Sequence, residues 1–178
     1  LFTLLGSLDK VRDRMADLAP HGLDGMGYMV FASYDQEGKV MQLAEDYRAI
    51  QWLQEHVPGS PVIVEANTPE YRWGSRMTIY TGLPGVVGWN WHQRQQRAVL
   101  PSEWVTERVK EIGDFYSLMD KSLTRSFLRK YHVQYIIVGQ LEKAVYPAIG
   151  LAKFKEWEGE LWKEVYQNGE TSIYKVVP

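Results

Sequence analysis

The sequence predicts an α/β fold: a single three-layer-like domain with a mixed β-sheet flanked by helices and a C-terminal antiparallel hairpin. Three observations predict it. A stretch of helical apolar spacing, a turn and a β-branched run follow one another twice along the chain. Two β-rich runs close the sequence around Asn168-Gly169. And 178 residues at 45% hydrophobic content suffice for one compact core.

Taken in order, Leu1 to Leu8 is apolar, and charge then appears abruptly at Asp9, Lys10, Arg12, Asp13 and Arg14. Two readings fit: an amphipathic helix docked on the core, or the last turns of a membrane helix emerging into water. The segment 1–22 is expected to be an N-terminal helix continuing a membrane segment, ended by Pro20, with the single α/β domain spanning 23–178. From His21 to Gly27 the chain is a glycine-rich loop. Ala49, Ile50, Leu53 and Val57 have helical spacing within Asp46 to Val57, and Pro58-Gly59-Ser60-Pro61 stops that helix. Val62-Ile63-Val64 behind it reads as a buried strand.

Val105, Val109, Ile112, Tyr116 and Met119 make the next amphipathic helix, with Ser102 expected as its N-cap. Leu123, Phe127, Leu128 and Tyr131 share one face of another, and Tyr135 to Gly139 is the strand that follows. The runs Trp162 to Gln167 and Thr171 to Val177 complete the hairpin. No internal repeat or linker divides the chain.

Composition excludes several classes. There is no cysteine, so no disulfide scaffold, and a net charge of −2 provides no global attraction for nucleic acid. No apolar stretch reaches the ~20 residues that cross a bilayer. The chain opens at Leu1 without an initiator methionine, as expected of a piece of a longer protein. Among motifs, Gly25-Met26-Gly27 lacks the third glycine of a dinucleotide fingerprint, because Val30 stands in its place. Gly82, Gly85 and Gly88 are not followed by the Lys-Ser/Thr of a phosphate loop. Four scattered histidines without cysteine imply no metal, and no nucleophile elbow or paired-acid motif occurs. No cofactor and no catalytic residue is implied.

One stretch stands apart. Tyr71 to Ser102 holds Arg72, Arg76, Arg94 and Arg97 without a single acidic residue. Guanidinium forks bind carboxylate or phosphate in bidentate fashion and stack on rings, and Tyr71, Trp73, Tyr80, Trp89 and Trp91 supply rings. The run from Trp89 to Arg97 alternates aromatic bodies with polar tips, which suits a wall that contacts sugar or phosphate better than a core. The expected ligand-binding residues are Arg76, Arg94 and Arg97 for charge, His92 and Gln93 for hydrogen bonds, and Trp89 and Trp91 for stacking. Gly82, Gly85 and Gly88 would let the backbone turn around Leu83-Pro84. The competing reading pairs these arginines with Glu65 or Glu70 in a buried network, Arg76 first, and leaves the tryptophans as core.

Leu23 to Met29, Glu45 to Leu53, Pro61 to Ala66, Thr81-Gly82-Leu83-Pro84, Gly88-Trp89 and His92 to Arg97 together resemble the C-terminal part of the uncharacterised YYY-type (Chlor-Arch-YYY) family of polytopic membrane proteins. The likeness continues through Lys130 to Gly139 and Val165 to Gly169. That family is similar to glycosyltransferases of the C superfold. The resemblance implies an extracytoplasmic domain tethered behind many membrane helices, with the membrane-embedded part of the same polypeptide as partner and a lipid-linked sugar or phosphate as ligand. The catalytic acids of such transferases sit in membrane loops, so no catalytic residue carries over. Three classes of function follow: an accessory domain of a membrane sugar transferase, a structural or interaction domain, or an independent soluble α/β enzyme using groups such as Glu65 with His92. Separated from its membrane half, the N-terminal helix is expected to be less firmly held than the domain, or to self-associate through Leu1, Phe2, Leu4 and Leu5.

Overall fold

The computed structural model describes residues 2–14 and 22–177. An N-terminal helix, α1 (Phe2–Arg14), precedes the domain, and its side chains from Ser7 to Arg12 are exposed, Leu8 and Val11 included. The expected continuation of this helix to Leu18, and the start of the loop at His21, lie outside the described residues. Among those described, no helix is long and apolar enough to cross a membrane.

A short hairpin comes first in the domain, β1 (Ser33–Gln36) and β2 (Lys39–Gln42), and leads into α2 (Leu43–His56) and β3 (Val62–Val64). The chain then runs through α3 (Arg76–Thr81), α4 (Asn90–Gln96), α5 (Glu103–Ser117) and α6 (Lys121–Lys130) before re-entering the sheet as β4 (Val133–Val138). The short helices α7 (Gln140–Val145), α8 (Ala148–Leu151) and α9 (Lys153–Glu156) precede the closing hairpin of β5 (Trp162–Asn168) and β6 (Thr171–Val176). The four-stranded sheet has the order β3-β4-β6-β5, with β3 parallel to β4 and the remaining pairs antiparallel. It is the mixed sheet with a C-terminal hairpin that the sequence predicts. Pairing of Asn168 with Thr171 places the two-residue turn at Gly169-Glu170, one position later than Asn168-Gly169. Gly169 takes φ +58 there, a conformation that costs little without a Cβ.

Both faces of the sheet are covered, which is why β4 is apolar and buried from Tyr135 to Val138, after the exposed Gln134. Ile136 and Val138 point to one side, into a core built with Phe115, Tyr116, Phe127, Phe154 and Trp162. Tyr135 and Ile137 point to the other, against Ala49, Ile50 and Leu53 of α2 and Met77 of α3. Strand alternation thus yields three layers.

Two helix ends depart from the sequence reading. Ser102 lies in the α region and its side chain makes no cap bond; its carbonyl instead receives the amides of Val105 and Thr106. Met119 falls beyond the end of α5 and is 39% exposed. The side-chain cap is found on α6, where Asp120 accepts the Leu123 amide at 2.9 Å.

The end of α5 carries a feature that periodicity does not reveal. Lys153, wholly buried, donates its ammonium to the carbonyls of Phe115 and Leu118 and lies 4.6 Å from the centre of the Phe115 ring. It supplies positive charge where helix carbonyls are left unpaired. Burial pulls its pKa down to about 8, whereas the unfolded chain keeps that proton to about 10.4. Between those values the unfolded state binds more protons, so stability rises with pH, by at most about 1.4 kcal/mol per pH unit. Urea midpoints at about pH 7.5 and about pH 9.5 should show this gain, and Lys153→Met should remove it.

Candidate functional site

The four sequence-singled arginines separate into one that is buried and three that are not. Arg76 opens α3 and is 1% exposed. Its Nε donates to Asp46 Oδ2 of α2 at 2.8 Å, and its two terminal nitrogens engage Glu142 of α7 in bidentate fashion at 3.1 and 2.9 Å. Glu65, directly behind β3, lies 3.5 Å from Nη1. Each carboxylate is held in turn. Trp73 Nε1 donates to Asp46, the amides of Ala66 and Gly139 to Glu142, and the amides of Met77 and Thr78 with the Thr78 hydroxyl to Glu65. Gly139 is required by this packing, since a Cβ there would sit 2.9 Å from Thr171 Oγ1 and 3.3 Å from Arg76 Nη2.

The electrostatics follow from that geometry. Burial works against the Arg76 charge, but Asp46 and Glu142 outweigh it and keep the guanidinium firmly protonated. Burial likewise opposes ionisation of Glu142, and Arg76 wins again, holding it below the usual carboxylate range. At Glu65 burial prevails over Arg76 and the donated hydrogen bonds, and the pKa rises. Three carboxyl groups around one guanidinium exceed its charge, and Glu65 is where the excess is relieved.

This cluster occupies the carboxyl ends of the parallel strands β3 and β4, where open α/β sheets commonly receive ligands. Arg76 fills that position from within the chain. The role of ligand contact expected for Arg76 is therefore corrected: the residue is a core ion-pair centre with no surface to offer. Of the two acids named as competitors, Glu65 takes part in the cluster. Glu70 does not; it accepts the Trp91 amide at 2.5 Å, and its pKa is lowered chiefly by backbone hydrogen bonds, that of Trp91 among them.

The remaining expected residues lie on α4 and its flanks, a helix with no buried residue. Trp89, His92 and Tyr71 form a three-ring group with centroids 5.4 to 5.6 Å apart, and the Tyr71 hydroxyl and His92 Nε2 are 3.1 Å apart. Tyr71 is 73% exposed and Trp91 55% exposed, so two aromatic faces look outward beside this group. Gln93 packs its amide along Gly88, where an added Cβ would come within 3.1 Å of it. Arg94 Nη2 donates to Thr106 of α5 at 2.7 Å, and the Arg97 guanidinium lies 5.5 Å from the centre of the Trp104 ring. Among the described residues no carboxylate lies within ion-pair distance of Arg94 or Arg97. Trp89 Nε1, Asn90 Oδ1 and Arg94 Nε are buried atoms without a hydrogen-bond partner, all within six residues; native proteins rarely leave such atoms unpaired.

The structure therefore brings Trp89 and His92 together, sets Arg94 and Arg97 along the junction with α5, and removes Arg76 to the core. Tyr71, which the sequence offers as a ring of this stretch, takes its place beside Trp89 and His92, and Thr106, Trp104 and Arg108 join the neighbourhood without having been assigned to it from sequence. Trp104 and Arg108 are four apart on one helix, a spacing that puts them side by side, and Arg108 lies 4.9 Å from the Trp104 ring centre. Such a surface can stack on a ring and bond an anion. Among the described residues no group of acids and histidines is arranged to hold a metal ion.

No protein-family model matches the chain, and no curated protein matches it. Among solved structures it is similar to the C-terminal globular domain of an oligosaccharyltransferase from Archaeoglobus fulgidus. Identity is 10% and the TM-score 0.47, over 74% of this chain and 96% of that one. The likeness is in the course of the backbone, and no residue role passes across it.

Proposed function

We propose that this is the extracytoplasmic accessory domain of a multi-spanning membrane protein of the YYY type, which resembles C-superfold glycosyltransferases, and that it contacts a lipid-linked sugar or phosphate through α4. The observation that carries the ligand reading is the pair Arg94 and Arg97 beside the outward rings of Tyr71 and Trp91. Neither has a carboxylate within ion-pair distance among the described residues, although the Arg94 charge helps to hold the Glu70 pKa down. In this reading Arg94 and Arg97 hold the anion, Trp91 and Trp89 with Tyr71 offer rings to a sugar face, and His92, Gln93 and Asn90 bond hydroxyl groups. Catalysis belongs to the membrane half of the polypeptide, and the N-terminal helix leads back to it.

A second reading, a purely structural or interaction domain, is favoured by the Arg76 cluster, which fills the usual ligand crevice of the sheet. Titration with geranyl phosphate and with N-acetylglucosamine 1-phosphate separates the two. The accessory reading expects binding in the wild type. Arg94→Ala and Arg97→Ala should each weaken it by about one to two powers of ten, the worth of a charge-assisted hydrogen bond. No binding of either probe at millimolar concentration would favour the structural reading.

A further inference from the structure

A cleft of about 560 Å³ opens at the amino end of β4, between the last turns of α6 and the ends of β5 and β6, a size usual for small-molecule sites. Leu128, Val133 and Leu161, all buried, give it an apolar floor, across which the Val177 amide donates to the Leu161 carbonyl at 3.0 Å. Arg125 and Arg129, four apart on one face of α6, line it together with His132 and the exposed Gln134. Glu160 is the acid on the cleft, and two cations already hold it, Lys121 at 2.8 Å and Arg125 at 2.7 Å. Glu158 and Glu164, the acids on either side of it in sequence, lie near Tyr174 instead. Two arginines against one glutamate leave the lining positive.

Among the described residues the Arg129 guanidinium and the His132 ring have no partner. The carbonyls at the end of α6 do not engage them, since those of Phe127 and Arg129 already accept the amides of Tyr131 and His132. His132 carries a second observation. It follows the C-cap Tyr131 with φ +52, the left-handed position that helix ends usually give to glycine. A side chain there strains the backbone, and this one borders the cleft.

We propose that this cleft binds a small amphiphilic anion, a carboxylate or phosphate monoester on an apolar body, with Arg129 on the charge, His132 and Gln134 on its oxygens and the body on the apolar floor. A guanidinium fork matches either head group, and a buried aliphatic floor favours an apolar body over a bare ion. The site shares no residue with α4, and the inference rests neither on the ligand of α4 nor on the membrane tether proposed above.

The test is titration of the chain with 1-naphthyl phosphate, 1-naphthoate, 1-naphthol and inorganic phosphate, followed through the amide chemical shifts of His132, Val133 and Gln134. At least one naphthyl anion should bind there, and the tighter of the two identifies the head group. Naphthol and inorganic phosphate each lack half of the recognition and should bind at least about ten-fold more weakly. Arg129→Gln should lower the affinity for the better anion by about ten-fold or more. His132→Gly should weaken binding without lowering Tm, because glycine suits that backbone position. Arg94→Ala with Arg97→Ala should leave these shifts intact, which keeps failure here distinct from failure of the α4 reading. Absence of binding by both anions, equal binding of naphthol, or unchanged affinity in Arg129→Gln would overturn the proposal.

Discussion

Replacing Arg76 by methionine should destabilise the domain by about 3–5 kcal/mol at neutral pH, the usual cost of leaving buried carboxylates without their cation. Asp46, Glu65 and Glu142 would face one another in a space where the guanidinium now makes hydrogen bonds of 2.8 to 3.1 Å to two of them. Lysine should rescue little, because one ammonium cannot reproduce a fork that serves Glu142 with two nitrogens and Asp46 with a third. The variant also carries a signature of its own. Without Arg76, burial raises the carboxyl pKa values in the folded state, so the folded variant binds more protons than the unfolded one and gains stability on mild acidification. Urea denaturation at neutral pH and at about pH 5 measures both effects. A loss below about 1 kcal/mol at neutral pH would show that the cluster does not hold the layers together.

Trp162→Ala should cost a similar amount, about 3–5 kcal/mol, or a fall in Tm of about 10 °C for a chain of this size. Trp162 is fully buried at the start of β5, its ring 4.9 Å from that of Phe154 and 6.1 Å from that of Trp157. Its Nε1 donates to the Phe154 carbonyl at 2.9 Å, so truncation opens a cavity and leaves that carbonyl unpaired. Since β5 is an edge strand, it has a partner on one side only, and amide exchange should rise first in β5 and β6. Trp162→Phe retains the ring packing and loses the hydrogen bond, and should cost less than half as much. Calorimetry and hydrogen exchange on the two variants separate the terms.

These two residues show what is legible in a chain of this kind. Trp162 opens a β-rich run and reads as part of a hairpin, and it is. Arg76 lies in a stretch devoid of acids, and counting charge along the sequence marks it as available for a ligand, with burial beside Glu65 or Glu70 as the competing reading. Its partners stand 30, 11 and 66 positions away at Asp46, Glu65 and Glu142, a separation that no local pattern encodes. Lys153 hides for the same reason: it looks like one more charge in Lys153-Phe154-Lys155-Glu156, and only the end of α5 packed above it makes it a buried cap. The hairpin of β1 and β2, in contrast, carries a local signal in Glu37-Gly38, with φ +52 and +86, that the periodicity reading passed over.

What the sequence by itself determined is therefore local: the apolar spacing of α2, α5 and α6, the β-branched runs of β3 and β4, the closing hairpin, and the unusual composition of the stretch that became α4. Periodicity of 3.6 or 2 is set by backbone geometry and is written within a few residues. Which charges were free and which were spoken for was decided only by the tertiary structure. Arg76 and Arg97 are chemically identical and twenty-one positions apart. One is ringed by three carboxyl groups in the interior, and the other rests on an indole at the surface. Burial and partnership depend on elements brought together from distant parts of the chain, and desolvation makes that difference large.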